Sequence, residues 1–173
     1  DLGPHLIDQV VQLFGMPQRV SADICILRDG GESDDAFEVT LHYAAITVKV
    51  GSSPFEAGPT LRYALQGTKG SYRKYHLDPQ ENQLKAGLPF DDPDWSVAPA
   101  PQHGRLYLAD ESKLVATLNG GYTTFYRQLA MALETNNAKM LPASGQSVVA
   151  VIRLIELARL ASEQQQTLSV ECI

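Results

Sequence analysis

Apolar positions recur at helical spacing from the start of the chain. Leu2, Leu6, Val10 and Leu13, widened by Ile7, Val11 and Phe14, predict an amphipathic helix over Gly3–Phe14. Pro4 falls in its first turn, where a missing N–H costs little. Gly15 stands where a left-handed cap closes a helix, and Pro17 prevents its continuation. The pattern then changes to period two. Val20–Ile26, Phe37–Tyr43 and Ile46–Val50 read as strands, and Ala44-Ala45 is a connection tight enough to make the last two antiparallel. Leu61–Leu65 and Ser71–Tyr75 add two strands around Gly67-Thr68-Lys69-Gly70. Asp78–Lys85 suits a short helix. Pro89–His103, rich in Pro and Asp, suits an ordered, lid-like excursion. Arg105–Leu108 and Leu114–Leu118 are short strands, Tyr122–Glu134 and Ser147–Ser162 are helices, and Thr167–Val170 is a last strand.

Each strand has one apolar and one partly polar face, the polar one carrying Asp23, Glu38, Thr40, His42, Lys49 and Arg62. The expected class is therefore α+β: an open, predominantly antiparallel β-sheet with helices packed on one face. Its uncovered face must meet solvent or another subunit, and a homodimer is expected through it.

At 173 residues the chain fits one domain over positions 1–173 with a real core. Its 14 basic and 20 acidic residues give a net charge of −6, so a phosphate backbone would be repelled and nucleic acid is not an expected partner. No apolar run approaches a bilayer span and no secretory signal is visible, which points to a cytoplasmic protein. Cys25 and Cys172 belong to no metal pattern and read as reduced thiols. The abrupt start at Asp1-Leu2-Gly3-Pro4-His5 suggests a domain belonging to a longer chain.

Candidate chemistry concentrates on the first helix. Asp1, His5, Asp8 and Gln12 fall within about 60° of one another on a 3.6-residue repeat, opposite the apolar face. Carboxylates beside an imidazole hold its orientation and favour its proton, which suits a general base. A solvated helix face with one surface histidine explains the same spacing. Asp8 could orient His5 or bind substrate. Lys74 could contact a substrate hydroxyl or make a cross-strand ion pair. Trp95 could close over a sugar ring or anchor its loop. His42, His76 and His103 share no ligand spacing, and no metal is expected.

The stretch Asp1-Leu2-Gly3-Pro4-His5-Leu6-Ile7-Asp8, followed by Leu13-Phe14-Gly15-Met16-Pro17, resembles the start of the C-terminal domain of Gfo/Idh/MocA oxidoreductases, which include glucose–fructose oxidoreductase and inositol dehydrogenase. Gly67–Tyr75 and Leu77-Asp78-Pro79-Gln80-Glu81 resemble one branch of that family. The resemblance implies a dehydrogenase acting with NAD or NADP on a sugar, polyol or related secondary alcohol. In it His5 is the general base, and Asp1 orients His5 or binds a neighbouring hydroxyl. It also implies a Rossmann domain as partner, which supplies a lysine from an E-K-P motif. Neither that motif nor a G-x-G-x-x-G loop occurs here, so the cofactor is expected to be held by the other domain and this chain alone to be inactive. Two further readings stay open. One is a non-catalytic dimerisation or binding module; the other is a relative that uses NAD transiently to hydrolyse or epimerise sugars.

Overall fold

Leu2–Phe14 forms α1 in a computed structural model that describes residues 2–172. Gly15, at φ +74°, ends it by donating to the Val11 carbonyl at 2.8 Å. A left-handed residue is favourable there only because glycine has no Cβ. Three strands follow: β1 (Arg19–Cys25), β2 (Ala36–His42) and β3 (Thr47–Ser52). They pair antiparallel, and the Ala44-Ala45 turn closes with Tyr43 N–H on the Ile46 carbonyl.

The rest of the chain divides between two compact units, the second being Ala57–Pro142. In that second unit β4 (Leu61–Gly67), β5 (Gly70–Tyr75), β6 (Gly104–Tyr107) and β7 (Ser112–Val115) form an antiparallel sheet in chain order. It also holds α2 (Gln80–Lys85) and α3 (Tyr122–Glu134). The first unit regains the chain at Ala143, with α4 (Gly145–Gln164) and the two-residue strand β8 (Leu168–Ser169). Its sheet runs β3-β2-β1-β8.

The α+β, antiparallel class stands, with the strands shared between two four-stranded sheets. Arg62 therefore leaves the polar face on which the sequence pattern placed it: it lies on β4, whereas Asp23, Glu38, Thr40, His42 and Lys49 lie on the first sheet. Period two assigns a residue to a face but not to a sheet. β7 lies earlier than expected, and β8 gives way at Val170 to a 3-10 turn.

The first unit's core follows directly from the alternation. Val20, Val39 and Leu41 point to one side of the sheet, where Ile7 and Val10 of α1 and Val151, Leu154 and Ala158 of α4 cover them. Burying each such aliphatic side chain is worth about 1.5–3 kcal/mol. Because β8 is so short, the Ile24 N–H on β1 has no strand partner and donates to the Ser162 hydroxyl of α4 at 2.9 Å. Arg159 of α4 pairs with Asp34 at 2.6 Å, and Asp35 accepts from the Leu27 and Arg28 amides, so the acidic loop between β1 and β2 is structural.

α4 extends further at both ends than its apolar stripe indicated. Ser144 caps its N-terminus by accepting from Ser147 N–H at 3.1 Å. At its C-terminus Gln165 takes φ +52°, and the Gln166 N–H reaches back to the Ala161 carbonyl. That closure prefers glycine, since a Cβ in the left-handed region costs roughly 1–2 kcal/mol. Gln165→Gly is expected to stabilise the fold by about 0.5–1 kcal/mol net of glycine's chain entropy. Denaturant unfolding of both proteins at one pH checks this, and an unchanged or lower midpoint contradicts it.

Candidate active site

The residues singled out by sequence lie in two places. His5 and Asp8 are on α1, with Ile7 and Val10 buried on the opposite side of the helix. Burial of that inner stripe turns His5 outward: its side chain is exposed, and Asp8, one turn on, is half-buried. Residues three apart on a helix are surface neighbours, so the carboxylate stands within reach of the imidazole. Neither group is tied to another side chain among the described residues. An imidazole so placed is open to a bound hydroxyl and can accept its proton, with the Asp8 carboxylate one turn further along the helix. Asp1, assigned to the same stripe, lies outside the described residues.

Lys74 sits in the second unit on β5 and is only 8% exposed. Its ammonium donates to the Gln102 carbonyl at 2.7 Å and to the Thr117 hydroxyl at 3.2 Å. The cross-strand ion pair suggested by its neighbours is absent among the described residues, because Lys74 faces the loop before β6 and the segment after β7. Burial pulls its pKa below the ordinary lysine value, partly offset by the carboxylate of Asp78.

Around it the unit is organised by polar contacts that no spacing announced. Gln80, 2% exposed, donates through Nε2 to Asp78 Oδ1 at 2.8 Å and accepts the Tyr122 N–H on Oε1 at 3.0 Å. It thereby satisfies a free amide at the start of α3. Gly120 passes so close to Asp78 and Gln80 that a Cβ there would overlap both side chains. His103 accepts the Thr117 N–H on Nδ1 at 3.3 Å. Trp95 is buried against Phe90, with ring centroids 4.7 Å apart, so it anchors the Pro- and Asp-rich excursion. Its indole N–H is buried without a partner among the described residues. Cys25 is free and exposed on β1. The described residues contain no cluster of His, Cys, Asp and Glu suited to a metal, and no helix long and apolar enough to cross a membrane.

The family profile described as "Oxidoreductase family, C-terminal alpha/beta domain" matches residues 1–171, and the chain belongs to this Gfo/Idh/MocA family. It is 34% identical to the scyllo-inositol 2-dehydrogenase (NADP(+)) IolW of Bacillus subtilis, over 99% of this chain and 48% of that protein. The solved structure of yvaA from Bacillus subtilis superposes with a TM-score of 0.90 at 32% identity, over 98% of this chain and 49% of that one. An oxidoreductase from Agrobacterium radiobacter, solved in complex with NAD+, L-tartaric acid and magnesium, shares the fold at TM-score 0.68 and 13% identity, covering 99% of this chain and 48% of that one. The chain thus spans about half the length of the relatives it matches.

Replacing Lys74 with Met leaves the Gln102 carbonyl and Thr117 hydroxyl short of a donor, and is expected to cost about 1–3 kcal/mol at neutral pH. A lysine whose folded pKa is lowered holds its proton more readily in the unfolded chain. Wild-type stability therefore gains from this residue as pH rises from the lowered value to the ordinary lysine range. The Met variant lacks that gain. Denaturant titrations at neutral and alkaline pH test both points, and parallel curves with no offset would contradict them.

Proposed function

We propose that this chain is the substrate-side domain, spanning positions 1–173, of an NAD- or NADP-dependent dehydrogenase that oxidises a secondary alcohol of a polyol or sugar. The observation that carries the reading is His5, held outward on α1 by burial of Ile7 and Val10, in a chain whose family match runs from residue 1 to 171. The polyol preference rests on the inositol dehydrogenase among its relatives.

The domain's part is the proton. An imidazole nitrogen of His5 accepts the hydroxyl proton as the carbinol carbon becomes a carbonyl. Asp8 orients the ring or accepts from a neighbouring substrate hydroxyl, and the family resemblance gives Asp1 the same role. Lys74 belongs to the second unit; two of its three N–H groups are engaged there, and a substrate-hydroxyl contact by the third is proposed for that unit by itself. NAD or NADP supplies the oxidant. The described residues do not fit a dinucleotide, since no G-x-G-x-x-G turn leads from a strand into a helix; the Gly120-Gly121 pair between β7 and α3 lacks that spacing. The cofactor is therefore assigned to a Rossmann domain partnering this one.

The test uses the full-length protein and follows NAD(P)H formation across polyols and aldoses. Wild type is expected to reduce cofactor with one such class, and His5→Ala to lose on the order of a hundredfold or more in kcat/KM. The isolated domain is expected to show no turnover. An active wild type with a neutral His5 substitution removes the site assignment, and silence across the panel favours the assembly or hydride-recycling readings.

We further propose a homodimer through the outer face of the first sheet, in a cytoplasmic protein. Among the described residues of the first unit, α1 and α4 both pack on the opposite, core side of that sheet. The groups of the outer face form a laterally tied polar surface, with Lys49 on Glu38 at 2.7 Å and His42 with Ser21 at 3.1 Å. An exposed free Cys25 on the same face suits a reducing compartment. Light scattering at micromolar concentration should give twice the monomer mass for wild type and the monomer for Thr40→Arg. A monomeric wild type refutes the dimer.

A further inference from the structure

The second unit holds a cavity of about 460 Å³ lined by Pro59, Tyr75, His76, Pro101 and His103. Its size lies within the range of small-molecule sites. Three observations distinguish it from an idle surface dent.

His76 occupies the left-handed region at φ +65°, a conformation that burdens any residue with a Cβ. Glycine would relieve that burden at no cost in packing, since the side chain is exposed. A strained histidine lining a cavity is the arrangement found where function, rather than stability, retains a side chain. His103 contributes the second point. Its Nδ1 accepts the Thr117 N–H, so the neutral ring carries its proton on Nε2, and no protein acceptor takes that N–H among the described residues. Third, Gln102, between the lining residues Pro101 and His103, fixes the buried ammonium of Lys74 behind this wall. Asp78, the carboxylate nearest in sequence, is turned to Gln80 instead.

The lining therefore offers N–H and O–H donors from His76, His103 and Tyr75, together with flat hydrocarbon faces from two prolines and a tyrosine. It offers no carboxylate. Tyr75 and a neutral His76 can each accept as well as donate, whereas His103, with Nδ1 taken by Thr117, presents a donor alone; the carboxylate acceptors that best hold the hydroxyls of a neutral polyol are missing from the named lining residues. A carboxylate needs donors alone. We propose that this cavity is a binding site for the carboxylate of a small hydroxylated organic acid, whose carbon skeleton rests on Tyr75, Pro59 and Pro101.

The full-length protein, free of cofactor, would be titrated with D-gluconate and, in parallel, with sorbitol, its uncharged polyol counterpart. Calorimetry supplies the affinity, and the imidazole signals of His76 and His103 in nitrogen-correlated NMR locate it. Saturable gluconate binding is expected, at least tenfold tighter than sorbitol, with both imidazoles shifted. His76→Gly removes one donor while easing the backbone. His103→Asn keeps an acceptor for Thr117 and removes the Nε2 donor. Each should weaken gluconate at least fivefold while the protein stays folded, and His76→Gly should raise the unfolding midpoint by about 1–4 °C. Equal binding of sorbitol, absence of saturable gluconate binding, or gluconate affinity untouched in both variants overturns the proposal. The readout is binding without cofactor, so its failure leaves the dehydrogenase reading, tested by turnover of the His5 variant, where it stands.

Discussion

The first unit depends on one burial: the inner stripe of α1 against α4 and the sheet. Ile7 and Val10 are covered by Leu154 and Val151 from a helix that begins more than a hundred residues later, and by Val39 and Leu41 from β2. A thirteen-residue helix has little stability of its own in water, so tertiary burial holds it in shape. The same burial sets its rotation, and rotation decides that His5 faces away from the core. Loss of the contact would remove a helix and a histidine's direction together.

The second unit is held differently. Few of its large apolar side chains are buried: Trp95 is, while Leu65, Leu118, Phe125 and Leu133 are exposed. Its order comes from buried polar groups that satisfy one another. Gln80 joins Asp78 to the start of α3, and Lys74 joins β5 to the loop before β6 and the segment after β7. Such contacts add modestly to stability when made and cost considerably when half-made, so they specify one arrangement rather than supplying a large driving force.

Much of this architecture is legible along the chain because it depends on local periodicity. The α1 stripe, its Gly15 stop, the alternation of β1 to β3 and the two-residue turn at Thr68-Lys69 each reflect a neighbour-to-neighbour rule, and each element appears close to where that rule puts it. The face of α1 that carries His5 and Asp8 was legible for the same reason. Resemblance then supplied what spacing could not, since a polar helix face has many explanations and a family match has few.

What the chain by itself determined, then, is the set of elements, the inward face of each in the first unit, and the family. Tertiary structure alone decided which strands share a sheet, moving Arg62 away from Asp23 and Lys49, and what surrounds the buried polar groups. Lys74 shows the reason most plainly. Its partners Gln102 and Thr117 lie 28 and 43 positions away, and no periodic rule connects residues that far apart. Hydrophobic pattern is read locally because a side chain's face repeats every two or 3.6 residues. Hydrogen-bond partnership is a property of positions in space, and it exists only once the chain has folded.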